Sequence, residues 1–465
     1  MSILAQTDVS DKPLSRGEFC QQQQALLHEA ISSAITPEVS RVFNHALCAE
    51  VTALLGRDKG KHRASATATH SSLHCAVCGR QETLDFVRKG YYQRELLTQW
   101  GVAPLAIPRV KCVCGRSPTI PFSLLPVYDR LWSDMDALSL EFVALSLSLR
   151  STVTVLERTS GQAISIGTVQ RRVKRTVRLT VHEMQQKLFI SPPVILLDAL
   201  WGTVMVETGE RKRDKKGRLR KVKRGKRIPV LVALGMDPQT GETRVLAWVR
   251  GVAEGIEDWT RLLTALHERG VHWRSGLRLF VHDGCAALET ALGIVDVGPV
   301  RGQRCIFHKL RNVGRDVMGS EGMSRTEKRE RIKAVLADAS AVYKATSARE
   351  AREHAAAFRA TWEAREPKAV ATLERDFEQT LTCYAVQEEA RETGETWSLQ
   401  YLRTTSALER LNRDLRSKWR QAGAFGSEDG QTGAFGLVIK RRDRARNIAS
   451  ADWLDSVIAG FLTPN

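Results

Sequence analysis

No apolar run in this chain approaches the roughly 20 residues that a membrane-spanning helix needs. Its opening segment, MSILAQTDVSDK, lacks the basic start and apolar core of a secretion signal. Together these absences predict a cytoplasmic chain with no membrane partner. Negative charge is also scarce, with 52 acidic residues against 70 basic ones, a net charge of +18 and a pI near 9.7. That imbalance attracts a polyanion over long range, and nucleic acid is the first candidate. In a reducing compartment the nine cysteines are expected as thiols or metal ligands, not disulfides. At 465 residues the chain exceeds one ordinary core, and about three domains are expected.

Four of the cysteines fall in two glycine-flanked pairs, Cys75-Ala-Val-Cys78-Gly and Cys112-Val-Cys114-Gly, separated by strand-compatible sequence. Two thiolate pairs brought together by a short sheet make a tetrahedral structural zinc site, and the glycine lets each knuckle turn tightly. The second pair has a single spacer, so His70 and His74 are available as replacement ligands. The alternative is a zinc-free β element with reduced cysteines in its core.

Further on, STVTVLERTSGQ reads as a helix ending near Gly161, and SIGTVQRRVKRTVRLTV as the next, capped by Ser165. Ile166, Val169, Val173 and Val177 form its apolar stripe, leaving Gln170, Arg171, Arg172, Lys174 and Arg175 for other faces. A small docking seam and a basic second helix are what a helix-turn-helix needs to enter the major groove. The plainer reading is an ordinary amphipathic helix with a solvated face. Upstream, Leu26, Leu27, Ala30, Ile31 and Ile35 mark another helix with one apolar face.

Three carboxylates stand out beyond residue 190. Asp198 sits inside PVILLDALWGTV, Asp283 closes LRLFVHDG, and Glu409 lies in SALERLNRDLRSKW, where Leu408, Leu411, Leu415 and Trp419 follow helical spacing. Burying a carboxylate in an apolar run is costly unless it is paired or holds a metal. Asp283-Gly284 also reads as a turn, and Ser406 to Glu409 as a capping box. Glu389 and Glu395 are alternative sources of the third carboxylate. Three strands with turn signals between them, Asp237 to Gly241 reading as the hairpin loop before the third, precede alternating helices and strands, which is the ribonuclease H pattern with its first and fourth strands adjacent. Phosphodiester cleavage there would use two Mg²⁺ or Mn²⁺ ions about 3.5 to 4 Å apart, with Asp198 bridging.

Between the first two of these strands, residues 211 to 227 hold twelve Lys or Arg among seventeen positions. Such a run cannot pack in a core. A solvated loop and a targeting-like basic run are alternatives to a phosphate-binding element beside the carboxylates, with Arg218, Arg220, Lys221, Lys223 and Arg224 as contacts. No aromatic residue interrupts it, so little base stacking is expected.

Asp198, Asp283 with its glycine, Cys305-Ile-Phe-His308 followed by Lys309 and Asn312, and Glu409-Arg410-Leu-Asn412 resemble the Mutator-type DDE transposases of bacterial insertion sequences. The resemblance covers about residues 190 to 450. It implies a ribonuclease H-like catalytic core with an all-α insertion before the Glu, and supporting roles for Cys305 and His308. The front end of zinc ribbon and helix-turn-helix is instead similar to that of another insertion-sequence group. Packing of Cys305 competes with metal ligation as its role. The expected organisation is thus a multidomain α/β chain: an N-terminal helical segment at 1–65, a zinc-ribbon-like domain at 66–125, a helix-turn-helix at 126–188, the catalytic core at 189–312, the insertion at 313–400, and C-terminal core helices at 401–465. Expected partners are double-stranded DNA, as terminal inverted repeats and target, and further copies of the chain on that DNA at the nucleoid. A nuclease or resolvase on branched DNA, or a non-catalytic regulator derived from a transposase, are the alternatives.

Overall fold

The computed structural model describes residues 16–62, 73–125, 131–319 and 322–446. They form two compact units, one containing residues up to Phe142 and Leu149–Arg172, the other Val143–Ser148 and the chain from Val173 onward.

In the first unit, helix α1 (Arg16–Leu55) lies on a hairpin of β1 (Phe86–Thr98) and β2 (Gly101–Cys112). Phe43, Leu47, Val51 and Leu55 recur every fourth residue, so they share one helical face, and all four are buried against the hairpin. Of the stripe expected further up the helix, Ala30 is exposed and Ile35 half-buried, and the side chains of Leu26, Leu27 and Ile31 lie outside the described residues. His70 lies outside them too.

Three helices follow, α2 (Ser133–Ala144), α3 (Leu149–Ser160) and α4 (Ile166–Gln185), the last continuing into the second unit. Gly161, at φ +68°, ends α3, and Ser165 Oγ accepts from Thr168 N at 3.1 Å to start α4. The buried stripe of α4 differs from the expected one. Val169 and Val173 are buried, but Ile166 is 41% exposed and Arg172 is buried at 2%. Arg172 is inside because Asp136 of α2 meets its Nε at 2.5 Å. A buried guanidinium with a carboxylate partner belongs to the packing of this unit, so Arg172 is corrected from a DNA contact to a structural ion pair.

The second unit is built on a five-stranded sheet of β3 (Val194–Arg213), β4 (Leu219–Met236), β5 (Thr243–Arg250), β6 (Leu279–His282) and β7 (Arg301–Arg304), in the order β5-β4-β3-β6-β7. The first three strands are antiparallel; β6 and β7 run parallel to β3. The first and fourth strands of this sheet are therefore neighbours. Ile195 and Leu197 point to the face covered by α5 (Ile256–Glu268) and α6 (Ala286–Ile294), where Trp259, Leu262, Leu263 and Leu288 close the core.

The opposite face carries α13 (Ser406–Ala422). Trp419 of α13 lies so close to Gly202 that a Cβ there would sit 2.1 Å from the indole, and Trp419 Nε1 donates to Thr203 O at 2.7 Å. Between α7 (Ile306–Arg315) and α13, the described residues are helical or irregular: α8 (Arg325–Lys344), α9 (Ala348–Trp362), α10 (Pro367–Glu374), α11 (Thr382–Glu392) and α12 (Leu399–Leu402). Val335, Phe358, Trp362 and Leu373 of α8 to α10 share a core with Ile306 and Val313 of α7. α14 (Glu428–Arg446) closes the described chain.

The basic run is no loop. β3 and β4 continue past the sheet as a two-stranded ribbon, paired from Arg211↔Lys221 to Arg213↔Leu219, with Gly217 at φ +74° in its turn. Asp214 Oδ1 accepts from the backbone of Lys216 and Arg218, which fixes the tip.

Candidate active site and metal centre

Asp198 is positioned by its strand. The parallel pairing of β3 with β6 matches Leu196 to Val281; two residues further along the chain are Asp198, within β3, and Asp283, just past the end of β6. Adjacent parallel strands therefore deliver both carboxylates to the same edge of the sheet. Glu409 comes from the first turn of α13, and Asn412, one turn on, donates from Nδ2 to Asp198 Oδ2 at 2.8 Å. Asp198 Oδ1 accepts from Ala199 N at 2.9 Å. Both carboxylate oxygens of Asp198 are thus held by donors, one from the strand and one from the helix.

The electrostatics agree with this crowding. Burial is the main cause, and the charges of Asp283 and Glu409 add to it, in pushing Asp198 up to about 7 against the Ala199 N–H and Arg416. Three side-chain atoms around it are buried without a hydrogen-bond partner: His308 Nδ1, Glu409 Oε1 and Asn412 Oδ1. Glu409 Oε1 is 3.4 Å from His308 Nε2. Burial lowers the His308 pKa while Glu409 and Asp283 oppose it. Orphaned oxygens beside clustered carboxylates suit a hard divalent cation. They are less tightly gathered than the cysteines, which are the one group of three or more possible ligands already closed around a point among the described residues.

Asp283 Oδ1 does accept from Cys285 N at 3.0 Å, so it serves the turn as well as facing Asp198. The capping box is absent: Ser406 is itself the first residue of α13, and its N–H faces Thr404 Oγ1 at 3.4 Å instead of Glu409. Glu389 pairs with Arg301 and Glu395 is exposed, and the carboxylates whose charge acts on Asp198 are Asp283 and Glu409. Cys305 packs. Its buried Sγ is 3.3 Å from both the N–H and Oγ1 of Thr405, tying the start of α7 to the start of α13. His308, one turn into α7, thereby reaches Glu409.

Three residues near the site had no role in the sequence reading. Asn412 was visible only as part of a motif, and no local signal gives its contact with Asp198. Glu254, at φ +58°, is held by Asp258 Oδ2, which accepts from the backbone of Val252, Ala253 and Glu254. Burial raises Glu254, and the charge of Asp283 adds to that, so it is a fourth carboxylate near the edge. Its Oε2 accepts from Trp201 Nε1 at 2.7 Å. His282 is pushed down to about 4, mainly by burial, and its Nδ1 accepts from Gly284 N at 3.1 Å, which fixes a neutral ring.

In the first unit, the Sγ atoms of Cys75 and Cys114, and those of Cys78 and Cys112, are each 3.6 Å apart, and all four sulfurs lie within 4.8 Å of one another. Tetrahedral thiolates at ~2.3 Å from zinc sit about 3.8 Å apart, so the cluster fits that ion. Gly79 at φ +73° and Gly115 at φ +95° close the two knuckles, the single-spacer pair included. His74 is exposed and not part of the cluster.

Residues 17–445 match the family described as Transposase, Mutator family. The chain belongs to that family. The transposase is 27% identical to the transposase for insertion sequence element IS406 of Burkholderia multivorans, over 75% of this chain and 80% of that one. It is 25% identical to the ISRM5 transposase of Rhizobium meliloti, over 71% of this chain and 72% of the other. Its identity to the transposase of IS256 in transposon Tn4001 of Staphylococcus aureus is 24%, over 77% and 82% respectively. This is a DNA transposase of a bacterial insertion sequence, with a cysteine cluster able to hold zinc. Among its described residues no helix is long and apolar enough to cross a membrane.

Proposed function

We propose that the transposase cuts and joins DNA at transposon ends with a DDE site of Asp198, Asp283 and Glu409, carried on a ribonuclease H-like core. The observation that carries this reading is the convergence of three carboxylates, from two parallel strands and one helix, on an edge where buried polar atoms lack partners. The three carboxylates would hold two Mg²⁺ or Mn²⁺ ions, which neutralise phosphate charge and activate water when bound. Asn412 and the Ala199 N–H orient Asp198, and His308 stands beside Glu409.

Zinc in the four-cysteine cluster would hold the hairpin ends together in a ribbon-like domain. Gln170, Arg171, Lys174 and Arg175, all exposed on α4, are the contacts we assign to the terminal repeats in a helix-turn-helix. Arg218, Arg220, Lys221, Lys223 and Arg224, exposed on the basic ribbon, are assigned to phosphates. The chain would act on paired ends as a homo-oligomer. Asp198→Ala, Asp283→Ala and Glu409→Ala should each abolish cleavage of an end-containing duplex while retaining its binding. Full cleavage by any of the three variants would overturn the assignment of that carboxylate.

A further inference from the structure

The basic ribbon has no partner in the core of its own unit, and its geometry says more than its charge. From Glu207 on, every residue of β3 is exposed, and so are most residues of β4 before Ile228. Its anchoring is at the root, where Met205 N donates to Phe425 O and Lys223 Nζ to Gly426 O. Three of its cations share two carboxylates, Arg218 and Arg220 on Asp214 and Lys221 on Glu207. A paired ribbon with this charge density costs self-repulsion unless phosphates meet it.

The same strand that carries Asp198 becomes the arm. We infer that the ribbon is a measuring arm that lies along the DNA duplex leading away from the scissile phosphate and contacts its backbone at a fixed distance from the cut. This rests on the reading of Asp198 as catalytic. A strand rises ~3.3 Å per residue, so Glu207 and Arg213 lie roughly 30 and 50 Å along the strand from Asp198. B-DNA rises ~3.4 Å per base pair, which puts the ribbon about 8 to 15 base pairs from the cleaved bond, the lower limit allowing for the bulge between Glu207 and Arg211. A two-stranded ribbon also fits the major groove, with Lys and Arg on both of its faces able to reach either phosphate wall.

Double-stranded DNA on either side of the cut has the same chemistry, so the test separates terminal repeat from flanking or target DNA. A photoreactive benzoylphenylalanine replacing Lys216 in the full-length protein should crosslink to an end-containing duplex roughly 10 to 15 base pairs from the cleaved bond, and duplexes extended on one side only identify which DNA it meets. A variant in which residues 208–222 are replaced by Asn-Gly keeps the Glu207↔Lys223 pair as a two-residue hairpin. Its log–log salt dependence of duplex binding should fall by about 2 to 4.5, at ~0.9 per lost phosphate contact. That loss should vanish on duplexes extending under ~6 base pairs past the cut on the crosslinked side. Crosslinks scattered over the duplex, or an unchanged salt slope in a folded variant, overturn the measuring arm. If crosslinking has the expected position but Asp198→Ala still cleaves, the catalytic reading fails and the ribbon is a DNA arm with no fixed relation to Asp198. Loss of all binding with an unchanged melting temperature would also overturn it, because the arm is inferred to add to end recognition, not replace it.

Discussion

Replacing Asp198 by asparagine should stabilise the metal-free transposase while removing its activity. In the folded chain Asp198 is pushed from 3.8 up to about 7, whereas in the unfolded chain it ionises near 4. Between about pH 4 and 7 the native state thus holds a proton that the unfolded state has released, and stability falls as pH rises through that window. At about 1.4 kcal/mol per pH unit, the ionised carboxylate costs about 4 kcal/mol at pH 8. The amide introduced by Asp198→Asn could keep the hydrogen bond from Asn412 but would turn its own N–H toward Ala199 N, losing one bond worth about 1 kcal/mol. The net gain is about 3 kcal/mol, or roughly 6 to 12 °C in melting temperature for a unit of this size. Calorimetry at pH 4 and pH 8 in the absence of Mg²⁺ checks it: the variant should exceed wild type at pH 8 and not at pH 4. Added Mn²⁺ should raise the wild-type melting temperature at pH 8 and leave the variant where it was. Equal melting curves at pH 8 would refute the account of a carboxylate held at a cost until a cation arrives.

Asn412→Ala removes the helix-borne donor from Asp198 and should lower cleavage by about 10- to 100-fold, the effect of losing an outer-shell partner, with end binding unchanged in a gel-shift measurement. Arg172→Ala removes one partner of the buried Arg172–Asp136 ion pair, so the first unit should lose about 3 to 5 kcal/mol in denaturant titration; Arg171→Ala and Arg175→Ala should instead leave stability within about 0.5 kcal/mol and weaken end binding. Metal analysis of the full chain should find about one zinc, lost in Cys78→Ser, and full zinc content in that variant would show that Cys78 is not a ligand.

The residues that were legible in the sequence are those whose signal is local. Leu408, Leu411, Leu415 and Trp419 repeat with a helical period, and all four are buried on α13. Ser165 and Gly161 begin and end helices because a side-chain oxygen and a left-handed backbone act within a few residues. The two cysteine pairs carry their own knuckle chemistry. Charge density marked 211 to 227 as exposed, but not its shape, since strand pairing across the ribbon depends on register set by the sheet below it.

Other outcomes needed the fold. Arg172 reads like its neighbours Arg171 and Lys174, yet in the fold it is buried against Asp136, 36 residues away in sequence. Ser406 and Glu409 have capping-box spacing, yet the helix begins one residue too early for it, at Ser406 itself. Asn412 meets Asp198 across 214 residues. A carboxylate in an apolar strand is visible in the sequence as an unexplained cost; which carboxylates and amides share that cost is decided by the parallel register of β3 and β6 and by α13 lying across them, because electrostatic crowding depends on distance through space and not along the chain.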